Sequence, residues 1–139
     1  MKSLCLLLLA LCVSVSAFSD EGEFRNASGN MIGQLKSDGS VRDSAGNTIG
    51  YFKDDGDVRD RSGNSLGSIK DDGEIRDRSG NRIGSVKGDG TVTDKTGNTI
   101  GRVTSSGDVR NASGNSIGSA RGVSATHAAA FFFFFFTDL

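Results

Sequence analysis

The chain has 139 residues, with 16 basic and 17 acidic side chains and a net charge of −1. Neither sign dominates, so nucleic acid and an anionic membrane surface are not expected as electrostatic partners. There is no proline, and the two cysteines, Cys5 and Cys12, both lie near the N-terminus.

Lys2 precedes an apolar stretch from Leu4 to Val13, and Val15-Ser16-Ala17 follows as a small-residue cleavage site. Residues 1–17 therefore read as a signal peptide removed after Ala17, which places the mature chain outside the cell, in a periplasm or at a cell surface. The apolar stretch is too short to span a bilayer. A lipoprotein reading through Cys12 is disfavoured because Leu11 stands where a small residue is expected. Both cysteines leave with the leader, so the mature chain has no disulfide and no thiol ligand. Loss of Lys2 makes it one charge more negative.

Residues 18–123 form the repeat domain. Within it, six copies of a 17-residue unit run without insertion over 22–38, 39–55, 56–72, 73–89, 90–106 and 107–123. The third copy reads GDVRDRSGNSLGSIKDD. A unit this small cannot bury its own apolar face, so the copies must share one core. Three positions per unit are apolar. The first is Phe24, Val41, Val58, Ile75, Val92 and Val109; the second is Ile32, Ile49, Leu66, Ile83, Ile100 and Ile117. The third is Leu35, Phe52, Ile69, Val86, Val103 and Ala120. Most are β-branched, and the segments between glycines are too short for helices, so the expected elements are short strands.

Asp43-Ser44-Ala45-Gly46 fits a type I turn with glycine at the positive-φ place, and Asn47 completes a hairpin loop with a glycine bulge. That loop pairs Arg42 with Thr48 and Val41 with Ile49. The link Asp54-Asp55-Gly56 has the same form and pairs Lys53 with Asp57 and Phe52 with Val58. Ile49 and Phe52 are three apart, which strict alternation sends to opposite faces. Gly50 lies between them, as Gly33, Gly67, Gly84, Gly101 and Gly118 do in the other copies, and marks a bulge or bend that turns both inward. One such bend per unit makes an antiparallel meander rotate about an axis. Closure into a ring is expected, because it removes exposed edges and no unit looks like a polar cap. The fold class is all-β.

The GDVRDRSGNSLGSIKDD units, the leader and the terminal AAAFFFFFF together resemble a family of secreted bacterial repeat proteins, the β-flower proteins. The resemblance spans nearly the whole mature chain. It implies a ring of β-hairpins arranged like petals, of five-fold or four-fold order in the named types, and carries no activity. Six units here leave the order of closure, five or six, open at this point.

Residues 124–139 form a tail with six consecutive phenylalanines, Phe131 to Phe136. Left in water, they are an association hazard. Burying each is worth roughly 1.5–3 kcal/mol, a total comparable with the net stability of a small domain. The tail is therefore expected to fold back and fill the centre or one mouth of the ring, with the small Ala120 making room. The rival is an interface or membrane contact.

No catalytic, cofactor-binding or metal-binding residues are assigned, and the chain reads as not an enzyme. His127 has no partnered nucleophile, and the serines lie in loops without a base. Asp54-Asp55 and Asp71-Asp72 occupy positions where turn geometry alone favours Asp. Asp54-Asp55-Gly56-Asp57 lacks the further ligands of a calcium loop. The recurring Arg and Lys positions read as a solvated face, with Lys53 opposite Asp57 and Lys70 opposite Glu74. The single Tyr51 and the absence of Trp make weak support for sugar binding. Asn26-Ala27-Ser28 and Asn111-Ala112-Ser113 match the glycosylation pattern, although the turns already account for both Asn residues. The expected function is a secreted, non-catalytic structural or interaction module with a protein or cell-surface partner. The alternative is a small-ligand or glycan binder at a mouth of the ring.

Overall fold

The computed structural model describes residues 21–137; the leader reading falls outside them. The first hairpin is β1 (Gly22–Asn26) with β2 (Met31–Leu35), the second β3 (Ser40–Asp43) with β4 (Thr48–Phe52). The third is β5 (Asp57–Asp60) with β6 (Ser65–Ile69), and the fourth β7 (Glu74–Asp77) with β8 (Arg82–Val86). The last two are β9 (Thr91–Asp94) with β10 (Thr99–Val103) and β11 (Asp108–Asn111) with β12 (Ser116–Arg121). Every strand pairs antiparallel with its sequence neighbours, and β1 pairs with β12 to close the barrel. All six hairpins join the ring, which answers the question of order.

The turns form as their residues dictate. Gly46 N donates to Asp43 O at 3.0 Å and Asp43 N to Asn47 O at 2.9 Å. Asp43 Oδ1 accepts from the backbone N–H of Ala45 at 3.0 Å and of Asn47 at 2.9 Å. The link repeats the pattern, with Gly56 N donating to Lys53 O at 3.0 Å and Lys53 N to Asp57 O at 2.9 Å. Hairpin loops thus gather at one mouth of the ring and links at the other.

The seam between units has the expected register, Phe52 opposite Val58. Within the hairpin, one expected pairing is wrong. Arg42 does face Thr48, but Val41 faces Gly50, and the register shifts between Val41 and Arg42. Ile49 is the extra residue of a β-bulge. The expectation that both Ile49 and Phe52 turn fully inward is corrected accordingly. Phe52 is buried, whereas Ile49 and its five equivalents are half-buried at the edge of the core. With Ile49 bulged out of the count, Gly50 and Phe52 are two apart and share the inner face, as pleating requires.

A barrel of twelve strands is too wide for its own short side chains to fill. The tail fills it. Helix α1 (Ala125–Ala129) enters at the link mouth and continues as a π-helix over Ala130–Phe135. Ala128, Ala129 and Ala130 are fully buried. Their methyl side chains let the backbone run inside a collar of third-position residues.

Candidate functional site: the hub and its two mouths

Each phenylalanine of the tail presses its ring edge on the mid-strand glycine of a different unit. Phe131 meets Gly33, Phe132 meets Gly118, Phe133 meets Gly101, Phe134 meets Gly84, Phe135 meets Gly67 and Phe136 meets Gly50. That sequence visits neighbouring units one after another around the ring. An α-helix turns about 100° per residue and would skip units. The wider π turn comes closer to the sixth of a circle that each unit occupies. The glycines are required by this approach. A Cβ on Gly50 would lie 2.6 Å from Phe136 Cζ and 2.6 Å from Arg59 O, and one on Gly84 2.5 Å from Phe134 Cζ. The three-residue spacing around each glycine marks a bulge or bend, but the ring edge that each glycine admits has no counterpart in the local sequence.

At unit 1 the hub is asymmetric. Phe24, where the other units carry Val or Ile, stacks on Phe131. Ala120 sits opposite Phe24 in the closing seam. The room expected from Ala120 is thus taken first by Phe24.

The link mouth holds a recess of about 460 Å³, walled in part by Phe52, Lys53, Lys70, Thr126 and His127. Ser124 caps α1 by accepting from His127 N at 3.2 Å. The His127 ring lies on Phe52, centroids 4.6 Å apart and planes 14° from parallel. His127 is therefore part of the packing between tail and ring. At the hairpin mouth, the bulged Ile32, Ile49, Leu66, Ile83, Ile100 and Ile117 surround the half-buried Phe132 to Phe135.

The outer wall is less loose than a solvated face. Arg59 Nη1 donates to Gly63 O at 2.8 Å, and its Nε lies 2.7 Å from Asp57 Oδ2. Arg25, Arg76 and Arg110 make the same clamp, from the loop carbonyl to the carboxylate two residues earlier. Lys53 and Lys70 do stand opposite Asp57 and Glu74, each donating its backbone N–H to that residue's carbonyl, at 2.9 and 2.8 Å, while the Asp57 and Glu74 carboxylates pair with Arg59 and Arg76. The reason is reach: an Arg on the same strand edge spans both acceptors with one planar fork. Unit five has Thr93 in place of Arg, and its Oγ1 is 2.7 Å from Ser85 Oγ.

Among the other residues singled out from the sequence, Asp55 Oδ1 accepts from Asp57 N at 3.0 Å and Asp72 Oδ1 from Glu74 N at 3.1 Å, so both serve their turns. Asn26 Oδ1 accepts from Ser28 N and Asn30 N, and Asn111 repeats this. Tyr51 faces outward, with Lys53 Nζ 5.8 Å from its ring centroid. Among the described residues no group of three His, Cys, Asp or Glu is placed to hold a metal ion. No helix among them is long and apolar enough to cross a membrane.

Comparison with protein families decides the relationship. A model of the 5-fold beta-flower protein family matches residues 25–136. The chain belongs to this β-flower family. No curated protein and no solved structure matches it. This β-flower closes on six hairpins although the family is described as five-fold. The match runs from the first unit to the last phenylalanine and so covers ring and plug alike.

Proposed function

We propose that this β-flower is an exported, non-catalytic interaction module that works through the ends of a rigid ring. The observation that carries this reading is the plug. With Phe131 to Phe136 and three alanines occupying the hub, the centre is spent on stability, and the polar turns at the two mouths are left to meet a partner. Those turns are held by backbone, Asx and Arg hydrogen bonds, so they present fixed shapes at little further ordering cost. Export rests on Lys2, the apolar Leu4–Val13 stretch and Ala17.

The test has two parts. Mass spectrometry of protein from the producing cell should find a mature N-terminus at Phe18 in the extracellular or envelope fraction. Fluorescently labelled protein added back to those cells should bind, and loop substitutions at one mouth should abolish binding while those at the other leave it intact. A cytoplasmic chain that retains Met1 would overturn export. Binding equally insensitive to both sets would overturn the working ends.

A second reading has its own observation. The link-mouth recess, with Phe52 and His127 as floor and Lys53, Lys70 and Thr126 beside them, is large enough for a small polar ligand such as a monosaccharide. Its test is titration of a sugar panel while the His127 ring resonances are followed; ligand-dependent shifts lost in Phe52→Ala support it, and unmoved resonances sink it.

A further inference from the structure

We propose that the tail is the gauge of the ring: the hub is a binding site selective for an aromatic run with one phenylalanine per unit, and the length of that run sets how many units close. The seams between units do not choose the number. Leu35 faces Val41, Phe52 faces Val58, Ile69 faces Ile75, and the closing seam places Ala120 opposite Phe24 in the same register. A barrel built from one repeated seam accommodates a change in strand number by a small change of tilt. Seams that share one register therefore serve rings of five, six or seven units about equally.

The phenylalanine run alone meets the mid-strand glycine of every unit once. Six phenylalanines meet six glycines in ring order, and the run ends where the circuit ends: Phe136 at Gly50 lies beside Phe131 at Gly33, ring centroids 5.9 Å apart. With one unit fewer, one of the rings has no glycine to rest on and must displace a neighbour. With one phenylalanine fewer, Thr137 is drawn to the sixth place and leaves an apolar unit facing a gap or a hydroxyl.

The experiment is a deletion cycle on the full-length protein. One variant lacks the unit 56–72, a second lacks one phenylalanine of the run, and a third lacks both. Each single deletion should lower the thermal midpoint, followed by near-ultraviolet circular dichroism, by on the order of 10 °C or more. The matched double deletion should melt cooperatively above both singles, and its structure should show five hairpins closed on five phenylalanines. A second matched pair, residues 73–89 with one phenylalanine, guards against a fault at one seam, and it keeps the test decisive where the singles do not fold. If neither matched pair folds, or both melt no higher than the worse single, the gauge is overturned.

Discussion

Phe131 lies flat on Phe24, with ring centroids 3.8 Å apart and planes within 3° of parallel. Both rings are almost wholly buried. This one stack replaces the Val or Ile that the other units place at the same strand position, and it is offset by Ala120 across the seam. Phe24→Val should therefore cost about 3 kcal/mol in urea unfolding, part from the cavity and part from the lost stack. Adding Ala120→Val should return some of it, because the pair then resembles Val103 with Val109. A double variant no more stable than Phe24→Val alone would show that the lost volume is not what matters there.

Two glycines with nearly the same backbone angle should behave differently. Gly56 in a link has φ +93° and Gly63 in a hairpin loop φ +91°. A Cβ on Gly63 meets nothing within 4 Å, whereas one on Gly56 runs into the carbonyl oxygen of Ile69. Gly63→Ala should then cost only the strain of a left-handed residue, about 1–2 kcal/mol, and Gly63→Asn less. Gly56→Ala should cost clearly more, because the backbone of the next strand must also move. Equal losses in a denaturant titration would remove the close approach as a cause.

Much of this fold was legible in the residues. The Asp-x-x-Gly spacing determines both loops, and the apolar positions on either side determine the seam, so the pairing of Phe52 with Val58 follows from short-range rules. Val41 with Gly50 did not follow, because a bulge adds one residue without changing composition, and Ile49 is as apolar as any core residue. Spacing alone marks the mid-strand glycines as bends, although their neighbours are rings from a segment up to about a hundred residues away. Long-range contacts of that kind leave no local pattern. The one available signal is arithmetical: the consecutive phenylalanines of the tail equal the units in number. The arginine clamps were missed because exposed charges ordinarily contribute little, and nothing in the spacing tells a tethered Arg from a free one.

Removal of Phe131 to Leu139 should do more than lower stability. The collar of Val, Ile and Leu loses its filling, and each emptied place costs both transfer energy and a cavity. The expected product is a chain without a sharp melting transition that binds a hydrophobic dye and self-associates. A truncated chain that melts like the full-length protein would show that the ring stands alone, and that the tail's role lies at an interface.

Acid should loosen the turns before the hub. Asp60 and Asp77 are held below the ordinary carboxylate range, first by the backbone N–H groups of Asn64 and Asn81; Asp94 is lowered first by the Thr96 hydroxyl. Asp38 and Asp89 are lowered by Ser40 and Thr91 in the same way in the links. A carboxyl group whose folded pKa lies below its unfolded value contributes stability above the unfolded value, near 3.8, and loses it as pH falls through the folded one. The unfolding midpoint should hold from neutrality down to about pH 4 and decline below it. Asn26 and Asn111 accept the same pair of N–H groups without a charge. The triple change Asp60→Asn, Asp77→Asn and Asp94→Asn should accordingly keep most of the stability at pH 7 and flatten the acid limb. Denaturant titrations at pH 7 and pH 2.5 would decide it, and an acid limb as steep in the triple variant as in the parent would assign the loss to other groups.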